Sequence, residues 1–144
     1  MNDRVELQTE VEARRELVFP LFATADGLGR WLDAATLDAR VGGELRATLR
    51  DAQAVGRVIA LDPPQHVSYA WDWVARPLGT NSVVAFDIID HGARTWVTLR
   101  HVGLPSPAQV ALHEEMWRYW LKRFEDACRS LEQVPAAGRV PTSG

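Results

Sequence analysis

A single cysteine, Cys128, occurs in the 144 residues, so no intramolecular disulfide and no cysteine-cluster zinc site can form, and a reducing compartment is expected. A dominant charge is missing as well. The 16 Lys and Arg and 19 Asp and Glu residues are scattered without a run of either sign and leave a formal net charge of -3. That balance lacks the electrostatic footprint of nucleic-acid or anionic-membrane binding. No apolar stretch approaches membrane-spanning length, and Met1 to Glu10 alternates charged and apolar residues where a signal peptide would need a basic start and an apolar run. The expectation is a cytoplasmic protein with no integral-membrane part.

Chemical motifs are scarce too. Asp38-Ala39-Arg40-Val41-Gly42-Gly43 lacks the lysine and following helix of a phosphate-binding loop and reads as a turn into a strand. Ser82, Ser106 and Ser130 have no nucleophile-elbow context, and Cys128 sits on an apolar stripe where a thiol is normally inert. His101, His113 and Glu114 fit no metal-ligand spacing. The expectation is therefore no metal, no cofactor and no assigned catalytic residue.

What the chain does have is apolar content, 47% of its residues, and six tryptophans beside four phenylalanines and two tyrosines. At this length folding buries roughly two-thirds of the surface that the unfolded chain exposes, enough for one core. One domain is expected over residues 1–133, followed by a disordered tail over 134–144 in which Pro135, Gly138, Pro141 and Gly144 have little to bury.

Periodicity orders the elements. Val5, Leu7, Thr9 and Val11 alternate with charged or polar neighbours as a half-exposed strand, and Ala13 to Phe22 then change to helical spacing that Pro20 must interrupt. Two short helices are expected, the second ending near Trp31-Leu32. Strands follow around Leu45–Leu49 and Val55–Leu61, and Asp62-Pro63-Pro64 stops the chain. Val67, Tyr69, Trp71 and Trp73 then share one face of a strand; Val84, Phe86 and Ile88 share a face of the next, from Ser82 to Asp90. Thr95, Val97, Leu99 and His101 complete a hairpin after His91-Gly92. Ser106-Pro107 with Gln109 opens a long helix whose Val110, His113, Trp117, Trp120, Leu121, Phe124, Cys128 and Leu131 form one stripe. This order is α+β: only that stripe is long enough to cover an antiparallel sheet.

From Val11 to Leu131 the sequence resembles the SRPBCC, or START-like, superfamily, in the branch related to the activator of the ATPase of heat-shock protein 90. The residues that carry the resemblance are Ala13 to Phe22 before Trp31-Leu32, Asp38 to Gly43, Gly56 with Val58, and Asp62-Pro63-Pro64. Ala70-Trp71, the Thr95-to-His101 strand with Gly103-Leu104, and Trp117 with Leu121 complete the set. Met116 departs from it, because the family often has glycine before that tryptophan. The resemblance implies a helix-grip fold, a curved antiparallel sheet around the C-terminal helix. It also implies a cavity between the sheet and the N-terminal half of that helix.

Within that frame the expected cavity lining is Trp31, Tyr69, Trp71, Trp73, Phe86, His101, His113 and Trp117, each weighed against ordinary core packing. Phe124 and Leu131 read as core. Asp72 and Asp87 alternate away from the apolar sets and are expected to face solvent. The leading function is a binding or carrier module for a small apolar molecule, with histidine fixing its orientation. A polyketide-cyclase-like enzyme using Tyr69, His101 or His113 comes second. A chaperone-interacting regulator comes third, since relatives that stimulate the chaperone join this domain to another N-terminal one. Oligomeric state is not readable from the sequence.

Overall fold

Alternation builds the first strand as expected: β1 (Val5–Val11) buries Val5, Leu7 and Val11 and turns Glu6, Gln8 and Glu10 outward. The computed structural model describes the backbone of residues 3–143 and the side chains of residues 3–131. Three single-turn helices follow where two were expected: α1 (Arg15–Val18), α2 (Pro20–Ala23) and α3 (Ala25–Leu28). Pro20 takes the first position of α2, where its missing donor costs nothing. The additional break is at Thr24, whose hydroxyl accepts from the Gly27 N–H at 2.9 Å and donates to the Pro20 carbonyl at 2.8 Å. That cap starts α3 as a separate element.

Six further strands complete the sheet: β2 (Ala34–Leu37), β3 (Glu44–Leu49), β4 (Ala52–Asp62), β5 (His66–Trp73), β6 (Ser82–His91) and β7 (Arg94–Val102). Their spatial order is β1-β7-β6-β5-β4-β3-β2, and every neighbouring pair is antiparallel. The short β2, which has no clean alternation, is absent from the sequence expectation. The remaining strands agree with it to within a few residues, and their inner faces are those the alternation marks. Val67, Tyr69 and Trp71, then Val84, Phe86 and Ile88, then Thr95, Val97, Leu99 and His101 are all buried.

The helix α4 (Pro107–Ser143) crosses the concave side. Ser106 caps it by accepting from the Gln109 N–H at 3.2 Å. Val110, His113, Trp117, Trp120, Leu121, Phe124 and Cys128 are buried and Leu131 packs against the core at its margin. The hydroxyl of Thr9 donates to Glu125 at 2.7 Å and ties β1 to this helix. The curved seven-stranded sheet gripping one long helix is the helix-grip architecture that the resemblance implies. The tail expected over 134–144 falls on residues whose side chains lie outside the described part.

Aromatic rings fill the middle of the grip. Phe22 stacks on Phe86 with ring centroids 4.2 Å apart, Phe124 lies 4.7 Å from Phe22, and Trp31 meets Phe22 edge-on at 5.6 Å. Burying one such ring stabilises the fold by about 1.5–3 kcal/mol. The short helices therefore do more than close one end of the sheet: α2 inserts Phe22 between the sheet and α4.

Candidate functional site

Where the filled interior ends, a groove begins. The β3–β4 turn and the first four turns of α4 diverge, leaving a depression of about 570 Å³. Leu49, Trp73, Leu112, Met116 and Trp120 make its apolar wall, with Arg50, Gln109, His113, Glu115 and Tyr119 as its polar positions. This volume lies within the range of small-molecule sites. A second depression of about 490 Å³ lies on the other side of Trp73, towards Pro77, Leu78 and Pro105, and shares Ala52, Trp73, Gln109 and Leu112 with the first. Trp73 is the partition between them.

Hydrogen bonds fix the tautomers of both inner histidines. The Trp73 indole N–H donates to His113 Nε2 at 2.9 Å, and His113 Nδ1 lies 2.7 Å from the Gln109 carbonyl. Nε2 must then be the bare nitrogen and Nδ1 the protonated one. Similarly, Trp117 donates to His101 Nδ1 at 3.0 Å, leaving His101 Nε2–H to face Ser82 Oγ at 3.0 Å. Ser82 in turn donates to the Trp71 carbonyl at 2.5 Å. Burial pushes His101 down to about 3, with the adjacent His113 adding to the effect, and burial likewise lowers His113. Both rings are neutral near pH 7.

The eight expected lining residues separate into two groups. Trp73 and His113 line the groove. Trp31, Tyr69, Phe86, His101 and Trp117 are nearly or fully inaccessible, and Trp71 is buried beside them. Trp31 donates to the Leu21 carbonyl at 2.8 Å and Tyr69 donates to the Phe22 carbonyl. Burial alone raises the Tyr69 phenol above its ordinary range. The Trp71 ring has its centroid 5.2 Å from that of Trp117 and 5.5 Å from that of Trp73, and its indole N–H finds no acceptor among the described residues.

Leu49, Arg50, Leu112 and Tyr119 belong to the groove and were not singled out from the sequence. A signal for two of them was present: Leu112, Met116 and Tyr119 recur at four- and three-residue spacing, one row beside the core stripe. Asp72 and Asp87 are half-buried. Asp72 accepts from the backbone N–H groups of Trp73 and Leu78, both at 2.8 Å, and so shapes the loop that follows β5. Asp87 holds His66 at 2.9 Å and Arg100 at 2.8 Å on the outer sheet face. Cys128 is buried, and burial, with Glu125 nearby, pushes its thiol up to about 12. Among the described residues no three His, Cys, Asp or Glu side chains come together to hold a metal ion, and no helix is long and apolar enough to cross a membrane.

Known proteins place this geometry in context. The family described as activator of Hsp90 ATPase homolog 1-like protein matches residues 12–129. No curated protein matches the chain. Among solved structures, an HSP90 activator from Plasmodium falciparum aligns with TM-score 0.75 at 19% identity, covering 86% of this chain and 94% of that one. CalU16 from Micromonospora echinospora aligns with TM-score 0.73 at 18% identity, over 94% of this chain and 82% of that one. The Aha1 dimer from Colwellia psychrerythraea gives TM-score 0.73 at 19% identity, over 87% and 95%. At such identities the structures share the fold, and fold alone does not carry function.

Proposed function

The chain belongs to the family of activator of Hsp90 ATPase homolog 1-like proteins, and on that footing we propose that it binds a small, largely apolar molecule in the groove between the β3–β4 turn and α4. The observation that carries this proposal is an apolar wall that opens to solvent at Leu112, with Tyr119 exposed beside it, next to a buried, oriented polar group. Leu112 is 60% exposed and Tyr119 42% exposed, whereas His113 at the floor is 5% exposed. Exposed hydrophobics on one helix row cost solubility unless something covers them. Trp73 offers a broad contact face, and its hydrogen bond to His113 holds that face in place.

A catalytic role draws less support. Tyr69 and His101 spend their hydrogen-bonding capacity inside the core, and both ring nitrogens of His113 are engaged by Trp73 and Gln109. General acid–base chemistry needs a proton-accepting atom within reach of substrate.

The test is thermal unfolding with a panel of naphthalene- and biphenyl-sized compounds, read together with tryptophan fluorescence. A ligand at 100 times its Kd should add about 2.7 kcal/mol of stability. Met116→Trp, which fills the groove from a half-buried helix position, should abolish the shift while the free protein still melts cooperatively. A panel that leaves the melting temperature unmoved up to the solubility limit overturns the proposal. Retention on an immobilised Hsp90-type chaperone would then favour the protein-contact alternative that the family description suggests.

A further inference from the structure

Arg50 occupies the turn between β3 and β4 with φ 59°, the one non-glycine residue with positive φ among the described residues. L-residues with a Cβ avoid this region, and glycine or asparagine is the usual occupant. Asp33 holds the turn by accepting from the Arg50 backbone N–H at 2.7 Å. That contact needs no particular side chain at position 50, so the backbone supplies no reason for an arginine. The side chain does: its guanidinium lies over the Tyr119 ring, 4.5 Å from the centroid, and both residues line the end of the groove.

The charges around this end are unequal in their commitments. Arg123 stacks over Trp120 at 5.0 Å and pairs with Asp33 at 3.3 Å. The Arg50 guanidinium has no carboxylate within ion-pair distance among the described residues, although Asp33 and Asp51 are near enough to favour its charge. Glu115, exposed on the groove's rim, is the acidic lining residue and makes no ion pair with Arg50. The Tyr119 phenol is held below its ordinary range by the neighbouring Arg50 and Arg123 guanidiniums, Arg50 first. Among the described residues, the groove thus has apolar walls, a neutral histidine floor and, at its end, the Arg50 guanidinium, which stacks on Tyr119 but pairs with no carboxylate.

We propose that the ligand is an amphipathic organic acid, its apolar body against Leu112, Met116 and Trp73 and its carboxylate received by the Arg50 guanidinium beside the Tyr119 hydroxyl. This rests on the groove being the binding site. A guanidinium presents paired N–H groups that match a carboxylate's two oxygens, which a neutral head group of the same size cannot exploit. An arginine kept where the backbone prefers glycine or asparagine is the kind of local strain that accompanies a functional contact.

The experiment compares matched pairs that differ only in the head group: 2-naphthylacetic acid with 2-(2-naphthyl)ethanol, and decanoic acid with decanol. Affinities are read by tryptophan fluorescence near neutral pH. The acids should bind about tenfold tighter than the alcohols, the return of a charge-assisted hydrogen bond at a part-exposed site. Added salt should narrow that difference. Arg50→Asn, which suits the left-handed turn and so preserves the hairpin, should remove most of the preference by weakening the acids far more than the alcohols. Equal affinity of acid and alcohol, or a preference that survives Arg50→Asn, overturns the acid assignment and leaves the groove intact. No binding by either member of both pairs overturns the acid and the groove together.

Discussion

His101 has no exposed surface, and its two nitrogens are consumed in a chain running from Trp117 through Ser82 to the Trp71 carbonyl. The consequence is a pH dependence of stability with a definite sign. The unfolded chain binds a proton on this ring below about 6.5, whereas the folded ring resists protonation down to about 3. Across that window the unfolded state holds the extra proton, so acidification destabilises the fold, by roughly 1 kcal/mol per pH unit from this group. The contribution is complete above 6.5 and shrinks as the pH falls. His113, lowered by burial as well, acts in the same direction. Urea denaturation at pH 7.5 and pH 5 should show a steeper loss for the native sequence than for His101→Gln, which carries no titrating ring. Parallel loss in the two proteins would contradict this assignment.

At the scale of elements, close approach and capping decide what each strand and helix tolerates. Gly56 on β4 pairs with Trp71 on β5, and a Cβ built there would lie 1.7 Å from the Ala70 carbonyl oxygen. Gly42, with φ +86°, has nothing within 4 Å of such a Cβ. Gly56→Ala must push two strands apart and should cost about 3 kcal/mol or more, whereas Gly42→Ala meets only the backbone penalty of about 1–2 kcal/mol. Paired denaturation curves measure the difference, and equal costs would refute the steric account. Ser106→Ala removes the hydroxyl that accepts from Gln109 and should destabilise the start of α4 by about 1 kcal/mol. Amide exchange in the first turn of α4 would register that loss locally.

At the scale of the molecule, aromatic rings pack the middle of the grip, and the groove lies at its edge. Phe22, Trp31, Phe86, Trp117 and Phe124 occupy the middle of the grip, so a ligand meets Trp73 and Met116 before it meets the core. Met116 lines the groove. Met116→Gly should therefore enlarge the groove and shift the preferred ligands to larger ones, at a cost of about 2 kcal/mol or more from glycine within a helix and the lost half-buried side chain. Thermal melts with compounds graded by size test this, and an unchanged size preference would show that Met116 does not bound the site.

Local periodicity determined which residues of this protein face inward. A two-residue repeat must put Tyr69, Trp71 and Trp73 on one side of β5, and a 3.6-residue repeat must put His113, Trp117 and Phe124 on one side of α4, whatever lies opposite. Most of the element order, apart from β2 and the third short helix, the inner faces and the inward position of Trp73 and His113 were legible for that reason. Depth was not. Whether an inward ring lines a space or fills one depends on what arrives from distant parts of the chain, and here Phe22 from α2 closes the middle of the sheet. Arg50 was hidden for a related reason: its left-handed turn and its stacking on Tyr119, far along the chain, exist only once β3, β4 and α4 are brought together. The sheet's curvature and the helix's position across it, set by packing of the whole core, decided where the groove beside the grip opens.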